Sequence, residues 1–569
     1  MVRHMLKRGA EILTDSLKKE GVEIMFGYPG GVLLGVYDQL FDVDILHILP
    51  RHEQGGIHAA EGYARATGKV GVCFGTSGPG ATNLITGITN AYMDSSPLVV
   101  FTGQVSSELI GGDAFQEADI FGITRPIVKH SYLVEDVKEL GPAITEAFHI
   151  AKTGRPGPVV IDLPKDVAAA KINYKPSEKM YLPGYKPNFE ANTMQIKKLL
   201  KMFESSTRPL FYIGGGTIIS NASAEIQKLS EMLNIPIVSS FMGLGAIPTL
   251  HTNNIGWIGM HGNYASNMAI TQCDFLIAIG TRFSDRSTGR INGFAPNAKI
   301  AHIDIDPASI SKNVVIDIPI VADAKISLQQ TFKYVPKYNW DKNAEKRSDW
   351  LKTVKKWNDE KPFSYTHSEK VIKPQYVVEK ISEITDGDAI ICTDVGQHQM
   401  WAGQYYKLKH PRQFISSGGL GTMGFGFPAG IGAKLGCPEK EVFVISGDGS
   451  FLMNAQELCT GKQHRVGVKV AILNNKFLGM VRQWQHLFFN NRYSYTCLEC
   501  QPDFIKLAEA YECKGFAADK YSDVDKILKE SLKINDRPVI MDFRVDREEN
   551  VYPMIPAGAS LDEMIFGEE

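Results

Sequence analysis

Residues Glu441–Asn475 read EVFVISGDGSFLMNAQELCTGKQHRVGVKVAILNN, and the architecture of the chain can be worked out from them. Two apolar runs, 441–446 and 468–473, have the length and flanking residues of buried strands, and apolar positions between them recur at helical spacing. The pattern predicts a strand, a turn, a helix over 451–464 and a second, parallel strand. Polar residues follow both strands, at the edge where open α/β sheets bind ligands.

The residue types at these two strand ends suit a magnesium diphosphate. Mg²⁺ prefers oxygen ligands, usually a carboxylate or two with phosphate oxygens, and Asp448 and Asn475 offer a charged and a neutral oxygen. Gly447 and Gly449 let the backbone approach a phosphate, and the N-terminus of the following helix adds N–H dipoles. An ordinary βαβ unit with an Asp-Gly turn is the alternative interpretation of the motif alone.

The combination of Gly-Asp-Gly with Asn-Asn at this separation resembles the diphosphate-anchoring signature of thiamine-diphosphate enzymes. The resemblance implies that Asp448, Asn475 and the backbone carbonyl of Phe477 hold Mg²⁺. It also implies that Gly449 and Ser450 lie at the cofactor. Lys476 is an unusual residue for its position, but a backbone ligand at the next residue does not depend on it.

Length, net charge and cysteine content limit the classes of function that the chain can have. The chain has 569 residues and a formal net charge of -2, so several domains are expected and nothing favours nucleic acid or an anionic membrane. No apolar run is long enough to span a bilayer, and residues 1–20 are predicted to form an amphipathic helix without a signal-peptide core. A cytoplasmic protein is expected, or one that is imported and lacks its presequence. Cys497 and Cys500 form a C-x-x-C that lacks a second ligand pair, so a metal or redox role for them is a minor alternative.

Strands alternate with helical segments along most of the chain, which predicts an α/β protein with three consecutive doubly wound parallel-sheet domains. The resemblance implies that these domains are of the thiamine-diphosphate enzyme type, with a pyrimidine-binding domain over residues 1–170, a central FAD-binding domain over 189–335 and a diphosphate-binding domain over 365–547. Residues 548–569 are predicted to form a tail that folds over the site as a lid. Residues 171–188 are interpreted as a linker and 333–361 as a charged connector.

Three motifs of the first unit resemble the pyrimidine-binding domain of acetohydroxyacid synthase: Arg51-His52-Glu53-Gln54, Gly75-Thr76-Ser77-Gly78-Pro79-Gly80 and Asp113-Ala114-Phe115-Gln116-Glu117. In that family a glutamate contacts N1′ of the aminopyrimidine and favours the imino tautomer, whose nitrogen then removes the thiazolium proton. The resemblance assigns this role to Glu53 and places Gln116 at the catalytic centre. Glu53 alone is also a common acidic residue in the first turn of a helix.

The central unit is similar to the segments that line FAD in biosynthetic acetohydroxyacid synthases. The resemblance implies flavin contacts at Arg155, Gly214, Gly215, Gly216, Met242, Met260, His261, Gly280, Arg282, Asp304 and Asp323, with Lys165 at the edge of the site. Glycine turns after strands suit a pyrophosphate, and an acid at a strand end suits ribose hydroxyls. Ser284 stands where the family commonly has an aspartate.

The substrate and thiamine positions are also carried over from the resemblance. Arg286 would bind the carboxylate of the second 2-ketoacid, a task that suits a guanidinium fork. Trp484 would favour 2-ketobutyrate as acceptor. The remaining thiamine contacts expected in the third unit are Gln397, His398, Gly421, Met423 and Met480, with Met423 as the wedge that bends the cofactor.

The resemblance covers nearly the whole chain and implies an acetolactate synthase catalytic subunit of branched-chain amino-acid biosynthesis, with thiamine diphosphate, Mg²⁺ and a structural, non-redox FAD. Pyruvate and 2-ketobutyrate are the expected substrates. A homodimer or a dimer of dimers is expected, because Glu53 and Asp448 lie in different units and the family bridges them between chains; a small regulatory subunit is a further expected partner. Another thiamine enzyme, such as a pyruvate oxidase or a decarboxylase, is the nearest alternative, and a scaffold that has kept only the fold is a second.

Overall fold

Three six-stranded sheets follow one another along the chain in the computed structural model, which describes residues 5–176, 180–368 and 370–567. Every hydrogen-bonded strand pair inside these sheets is parallel. Most of the strands are continuous apolar runs buried along their length, as expected where helices cover both faces of a parallel sheet. The predicted α/β fold class is confirmed.

The sheet of the first unit has the strand order β3-β2-β4-β5-β7-β6, and a separate antiparallel pair joins β1 to β8. The strands are β1 Met5–Arg8, β2 Ile24–Gly27, β3 Leu46–Ile48, β4 Gly71–Gly75, β5 Leu98–Gln104, β6 His130–Leu133, β7 Pro158–Pro164 and β8 Lys171–Tyr174. The helices are α1 Gly9–Lys19, α2 Leu34–Leu40, α3 Glu53–Thr67, α4 Pro79–Thr82, α5 Ile85–Asp94, α6 Ile120–Thr124, α7 Val137–Lys152 and α8 Lys165–Ala169.

The central sheet has the strand order β11-β10-β9-β12-β13-β14. Its strands are β9 Pro209–Ile213, β10 Ile237–Ser239, β11 Asn254–Trp257, β12 Phe275–Ile279, β13 Lys299–Asp304 and β14 Ile318–Val321. Its helices are α9 Thr193–Ser205, α10 Gly215–Ile219, α11 Ser223–Leu233, α12 Tyr264–Gln272, α13 Asp285–Thr288, α14 Ala324–Phe332 and α15 Ala344–Glu360.

The third sheet has the strand order β16-β15-β17-β18-β20-β19. Its strands are β15 Ile390–Thr393, β16 Phe414–Ser416, β17 Val442–Gly447, β18 Lys469–Asn474, β19 Lys514–Ala518 and β20 Val539–Arg544. Its helices are α16 Pro374–Ile384, α17 Gln397–Tyr405, α18 Gly426–Gly436, α19 Asp448–Phe451, α20 Glu457–Gln463, α21 Gly479–Phe488, α22 Phe504–Ala510 and α23 Tyr521–Ser531.

In each sheet the first strands are added toward one edge and the later strands toward the other, and the switch point between them determines where ligands can bind. In the third sheet the switch point lies between β15 and β17, and in the central sheet between β9 and β12. The loops that leave two such strands diverge and open a crevice at their carboxyl ends. Asp448 follows β17, and Gly214 and Gly280 follow β9 and β12, so the predicted site residues stand at these crevices.

Helix α3 of the first unit packs against helix α18 of the third. Glycines allow this close approach: a Cβ atom on Gly62 would collide with the backbone of Ala429, and one on Gly432 with the backbone of Ala59. Near the start of α3, the buried Glu457 carboxylate accepts hydrogen bonds from the backbone N–H groups of Arg51 and His52, each at 3.0 Å. The first and third units are therefore joined through the segment that leads into Glu53.

Four local predictions were wrong. Of the predicted N-terminal helix, residues 1–4 lie outside the described residues, 5–8 form β1 and only 9–19 are helical, because β1 pairs with β8. That pairing also places a strand in the predicted linker. The helix expected over 451–464 is divided into α19 and α20. The charged connector contains α15, a helix whose Trp350 and Val354 are buried against the central unit.

No helix in the described part of the chain combines the length and the apolar character needed to cross a membrane.

Candidate active site

Asp448 and Asn475, two of the predicted cation ligands, follow the neighbouring strands β17 and β18. Asp448 begins α19 and is buried, and Asn475 follows β18. The side-chain N–H of Asn475 donates to Gln397 Oε1 at 3.3 Å, and its Oδ1 accepts from the backbone N–H of Phe477 at 3.0 Å. The neighbouring turn is held by backbone bonds, since Leu478 donates to Thr496 and Leu498 donates to Lys476, each at 2.8 Å.

Burial raises the pKa of the Asp448 carboxyl to about 7. The amide of Gln501 contacts this carboxyl group, and that hydrogen bond opposes the shift only in part. A buried carboxylate without a positive partner is costly, whereas a bound cation would favour its ionised form. The described residues hold no cluster of three or more His, Cys, Asp or Glu side chains suited to a metal. Asp448 and Asn475 offer a carboxylate and an amide oxygen, which are ligands that Mg²⁺ accepts.

His398 stands at the crevice between β15 and β17 with an unused nitrogen. Its ring packs against Gly447, where a Cβ atom would lie 2.9 Å from Nδ1. Burial lowers the pKa of His398 to about 3, so the ring is neutral. Its buried Nε2 has no hydrogen-bond partner among the described residues. This nitrogen is available to a bound polar group such as a diphosphate.

A large cavity of about 810 Å³ is lined by residues of all three units. Its lining includes most of the residues assigned to the flavin, both Arg286 and Trp484, and three of the residues assigned to thiamine; Gln397, His398, Gly449 and Ser450 lie outside it. The assigned residues within the lining are Arg155, Gly215, Gly216, Met242, Met260, His261, Gly280, Arg282, Arg286, Asp304, Asp323, Gly421, Met423, Met480 and Trp484. Lys165 lies outside this lining.

The central end of the cavity is shaped by glycines at the crevice of the central sheet. Gly214 caps α10, and a Cβ atom there would collide with the backbone of Gly280; one on Gly216 would lie 2.7 Å from the Cα of Gly280. Arg155 donates to Asp306 at 3.3 Å and to Ser95 at 2.9 Å. The elongated volume, glycine turns and strand-end acids match what a dinucleotide requires.

The other end of the cavity brings Arg286 and Trp484 together. The guanidinium carbon of Arg286 lies 5.5 Å from the centroid of the Trp484 ring, which is cation–π distance. Arg286 is on α13 and Trp484 is on α21, so two units contribute to the contact. The indole N–H of Trp484 is buried and has no partner among the described residues. The guanidinium group can bind a carboxylate, and the aromatic ring can contact the alkyl group attached to that carboxylate.

Glu53 and Gln116 lie outside the lining of the large cavity, in the first unit. Glu53 is buried at the first position of α3, and Asn83 donates to its Oε2 at 3.0 Å. The backbone of Gln116 packs against Gly78, and the carboxylate of Glu53 lies near Gly80. Both residues therefore contact the same short segment, 78–80. The hydroxyls of Thr76 and Ser77 are buried there without a partner in the described residues. Neither Glu53 nor Gln116 belongs to the lining of the large cavity within this chain.

Sequence reasoning missed several residues that position the site. Asp94 accepts from the backbone N–H groups of Gly418 at 3.0 Å and Gly419 at 2.7 Å, which holds the loop carrying Gly421. The buried amide of Gln483 contacts both Gln397 and the C-terminal tail. Gln483 lies next to Trp484 in the sequence, but nothing in the sequence indicated the partners of Gln483 or of Asp94.

The C-x-x-C pair consists of exposed free thiols. Cys497 lies 3.6 Å from the Glu499 carboxylate, and Glu499 also contacts Arg547. Within the described residues neither cysteine belongs to a metal-binding cluster.

Comparison with known proteins agrees with this geometry. Three family models match in order: the N-terminal TPP binding domain of thiamine pyrophosphate enzymes over residues 7–123, the central domain over 196–331 and the C-terminal TPP binding domain over 394–543.

Similar full-length relatives come from bacteria and archaea. The chain is 47% identical over 562 residues to the acetolactate synthase isozyme 3 large subunit of Escherichia coli, covering 98% of both chains. It is 48% identical over 570 residues to a probable acetolactate synthase large subunit of Methanocaldococcus jannaschii, covering 98% of this chain and 95% of the relative. By this similarity along its whole length, the chain belongs to the acetolactate synthase large-subunit family of thiamine pyrophosphate enzymes.

Proposed function

We propose that this protein decarboxylates pyruvate and joins the remaining two-carbon unit to a second 2-ketoacid, which is the acetolactate synthase reaction. Pyruvate as acceptor gives 2-acetolactate, and 2-ketobutyrate gives 2-aceto-2-hydroxybutyrate. The observation that carries the proposal is the contact of Arg286 with Trp484 in the cavity that also holds Met423 and Met480. A decarboxylase needs no second organic substrate, whereas this arrangement offers a carboxylate ligand and an apolar wall for one.

Thiamine diphosphate, when bound, supplies the electron sink that makes the decarboxylation possible. The protein contributes positioning and charge. Asp448, Asn475 and the Phe477 carbonyl would hold Mg²⁺, and the buried Asp448 with its raised pKa supports this assignment. Gln397, His398, Gly449 and Ser450 would surround the diphosphate, and His398 Nε2 is free to donate or accept there.

FAD is proposed for the central end of the cavity, in a structural role. The support is the cavity volume and the close approach of Gly214 and Gly216 to Gly280, which leaves backbone rather than side chains facing the space. Arg155 and Arg282 would offset the pyrophosphate charge, and Asp304 and Asp323 would face hydroxyl groups. Ser284 also lines this space, so a hydroxyl replaces the family's aspartate there.

A second copy of the chain is proposed to complete the active site. Glu53 would hold and exchange a proton at the aminopyrimidine, but it lies outside the cavity of its own chain. The unpartnered hydroxyls of Thr76 and Ser77 beside it leave polar groups for a ligand brought by a partner. A homodimer is the smallest assembly that would satisfy this requirement, and a dimer of dimers is compatible with it.

The relatives are named large subunits, which supports a small regulatory partner for this chain as well. The cytoplasmic location stays a prediction.

The test is incubation of purified protein with thiamine diphosphate, Mg²⁺, FAD and equal pyruvate and 2-ketobutyrate. Both acetohydroxyacids should accumulate, with little acetaldehyde or peroxide. Acetaldehyde or peroxide as the main product would replace the proposal by a decarboxylase or an oxidase.

A further inference from the structure

The side-chain amide of Gln483 is completely buried on α21, and all of its hydrogen-bonding capacity is used. Its Oε1 accepts from the backbone N–H of Val551 at 2.8 Å and from Gln397 Nε2 at 2.9 Å. Its Nε2 donates to the Val551 carbonyl at 3.0 Å and contacts Met554 Sδ at 3.4 Å. A buried amide with four partners can adopt only one orientation, because any rotation leaves polar groups unsatisfied.

One side of this amide holds the C-terminal tail. Residues 549–552 have no helix or strand of their own, so side chains must hold their backbone. Arg482, the preceding residue on α21, donates to the carbonyls of Glu548 at 2.9 Å and Glu549 at 3.4 Å. Further along, Ile555 donates to the Met260 carbonyl at 2.9 Å, and Met260 lines the large cavity. The tail is thus fastened to α21 before it reaches the cavity wall.

The other side of the amide leads to the cation end. Gln397 Nε2 also donates to the Glu549 carbonyl at 2.9 Å, while Gln397 Oε1 accepts from Asn475 at 3.3 Å. An unbroken series of hydrogen bonds therefore joins Asn475, Gln397, Gln483 and Val551. Trp484, the next residue on the same helix, contacts Arg286.

We propose that Gln483 is a positioning residue that fixes the tail, Trp484 and Asn475 relative to one another. The amide sets the orientation of α21, so it controls both the acceptor end and the cation end without touching either ligand. The parts that concern the acceptor and the cation rest on the proposed function; the part that concerns the tail does not.

Three variants test this inference in the full-length protein. Gln483→Ala removes all four contacts. Gln483→Glu keeps the acceptor for Val551 N–H but, once ionised, has no proton for the Val551 carbonyl. Gln485→Glu is the matched control, because Gln485 is also a helix α21 amide but contacts Ser494 and Thr496 instead of the tail.

The first measurement is hydrogen exchange of the Val551 amide with Mg²⁺ and thiamine diphosphate present. Its protection should fall about tenfold or more in Gln483→Ala, as expected for loss of a buried hydrogen bond. Gln483→Glu should keep more of this protection than Gln483→Ala, because a carboxyl oxygen still accepts from the Val551 N–H. Gln485→Glu should keep full protection, because its contacts are with Ser494 and Thr496.

The second measurement covers the Mg²⁺ dependence of cofactor binding at the cation end and the product ratio at the acceptor end. In Gln483→Ala the Mg²⁺ concentration that half-saturates thiamine diphosphate binding, followed by protein fluorescence, should rise about tenfold. The ratio of 2-aceto-2-hydroxybutyrate to 2-acetolactate should fall severalfold. Full Val551 protection in Gln483→Ala would overturn the proposal, as would a released tail with unchanged Mg²⁺ response and product ratio. If the unmodified protein makes neither acetohydroxyacid, the proposed function fails, while the exchange measurement still decides whether Gln483 holds the tail.

Discussion

The guanidinium group of Arg286 lies over the indole ring of Trp484, with 5.5 Å between its central carbon and the ring centroid. The arginine belongs to the central unit and the tryptophan to the third, so the relative placement of two sheets sets the distance. The Arg286 side chain lines the open cavity and is 57% exposed, and its ion pair with the neighbouring Asp285, itself 83% exposed, is long at 3.9 Å. The guanidinium group of Arg286 is therefore accessible to an anionic substrate.

Arg286→Lys should lower use of the second 2-ketoacid about tenfold or more, because an ammonium group keeps the charge but loses the planar fork that grips a carboxylate. Trp484→Leu should retain turnover with pyruvate and lose preference for 2-ketobutyrate. The measurement is the product ratio under competing acceptors. Equal ratios in the unmodified protein and both variants would remove the pair from acceptor recognition.

Glu53→Gln should bind thiamine diphosphate and Mg²⁺ normally but turn over about 100-fold more slowly or worse, since an amide cannot exchange the proton. Asn83, which donates to the Glu53 carboxylate, offers a comparison. Asn83→Ala should reduce turnover less, because the carboxylate remains. Steady-state rates beside cofactor titrations separate the two effects, and unchanged turnover in Glu53→Gln would exclude this residue from catalysis.

Asp448→Asn should raise the Mg²⁺ requirement for cofactor binding about 30-fold or more, because losing one member of a buried charge pair costs about 2 to 5 kcal/mol. Asp503→Asn is the control: Asp503 is an exposed helix cap at the start of α22, and asparagine caps equally well. Mg²⁺ titration of cofactor binding measures both. An unchanged requirement in Asp448→Asn would place the cation elsewhere.

Glu61 on α3 gives a pH-dependent prediction. Burial raises its pKa to about 7, despite hydrogen bonds from Asn90 and Ser96 and the nearby Arg65. Its ordinary value is 4.5, so the folded protein binds more protons than the unfolded chain between these values. The stabilisation from the protonated group is present below about pH 4.5 and is lost as the pH rises through about 7, a difference of about 3 kcal/mol.

Glu61→Gln should therefore show a smaller fall in thermal midpoint between pH 5 and pH 8 than the unmodified protein. The comparison is made at matched scan rate and salt. A pH dependence of the midpoint identical in the two proteins would show that Glu61 titrates normally.

Gly62→Ala should loosen the packing of α3 against α18, because the added methyl group meets the backbone of Ala429. Overpacking of this kind costs about 1 to 3 kcal/mol. Gly35→Ala is the matched control, since Gly35 is also in a helix and a Cβ atom there meets nothing within 4 Å. It should stabilise the protein by up to about 1 kcal/mol. Thermal midpoints that fall only for Gly62→Ala would support the contact, and a fall in both would contradict it.

Much of the fold was predictable from local pattern. The runs at 441–446 and 468–473 correspond to β17 and β18, each shifted by one residue, and the Gly-Asp-Gly and Asn-Asn motifs stand at the carboxyl ends of these strands. Hydrophobic periodicity and turn-forming residues are local features of a sequence. They can therefore be recognised without knowledge of the rest of the chain. Helix α15 was missed because its charged sequence has few apolar positions, and burial of Trp350 and Val354 against the central unit stabilises it.

The sequence by itself determined three α/β units, their order and the residue types at each strand end. Only the tertiary structure decided that Arg286 meets Trp484, that Glu53 stays outside its own chain's cavity and that Gln483 fastens the tail to Gln397. The physical reason is that strand and helix periodicity follow from spacing along the chain. Contacts between units depend on which distant surfaces exclude water together, and no local pattern carries that information.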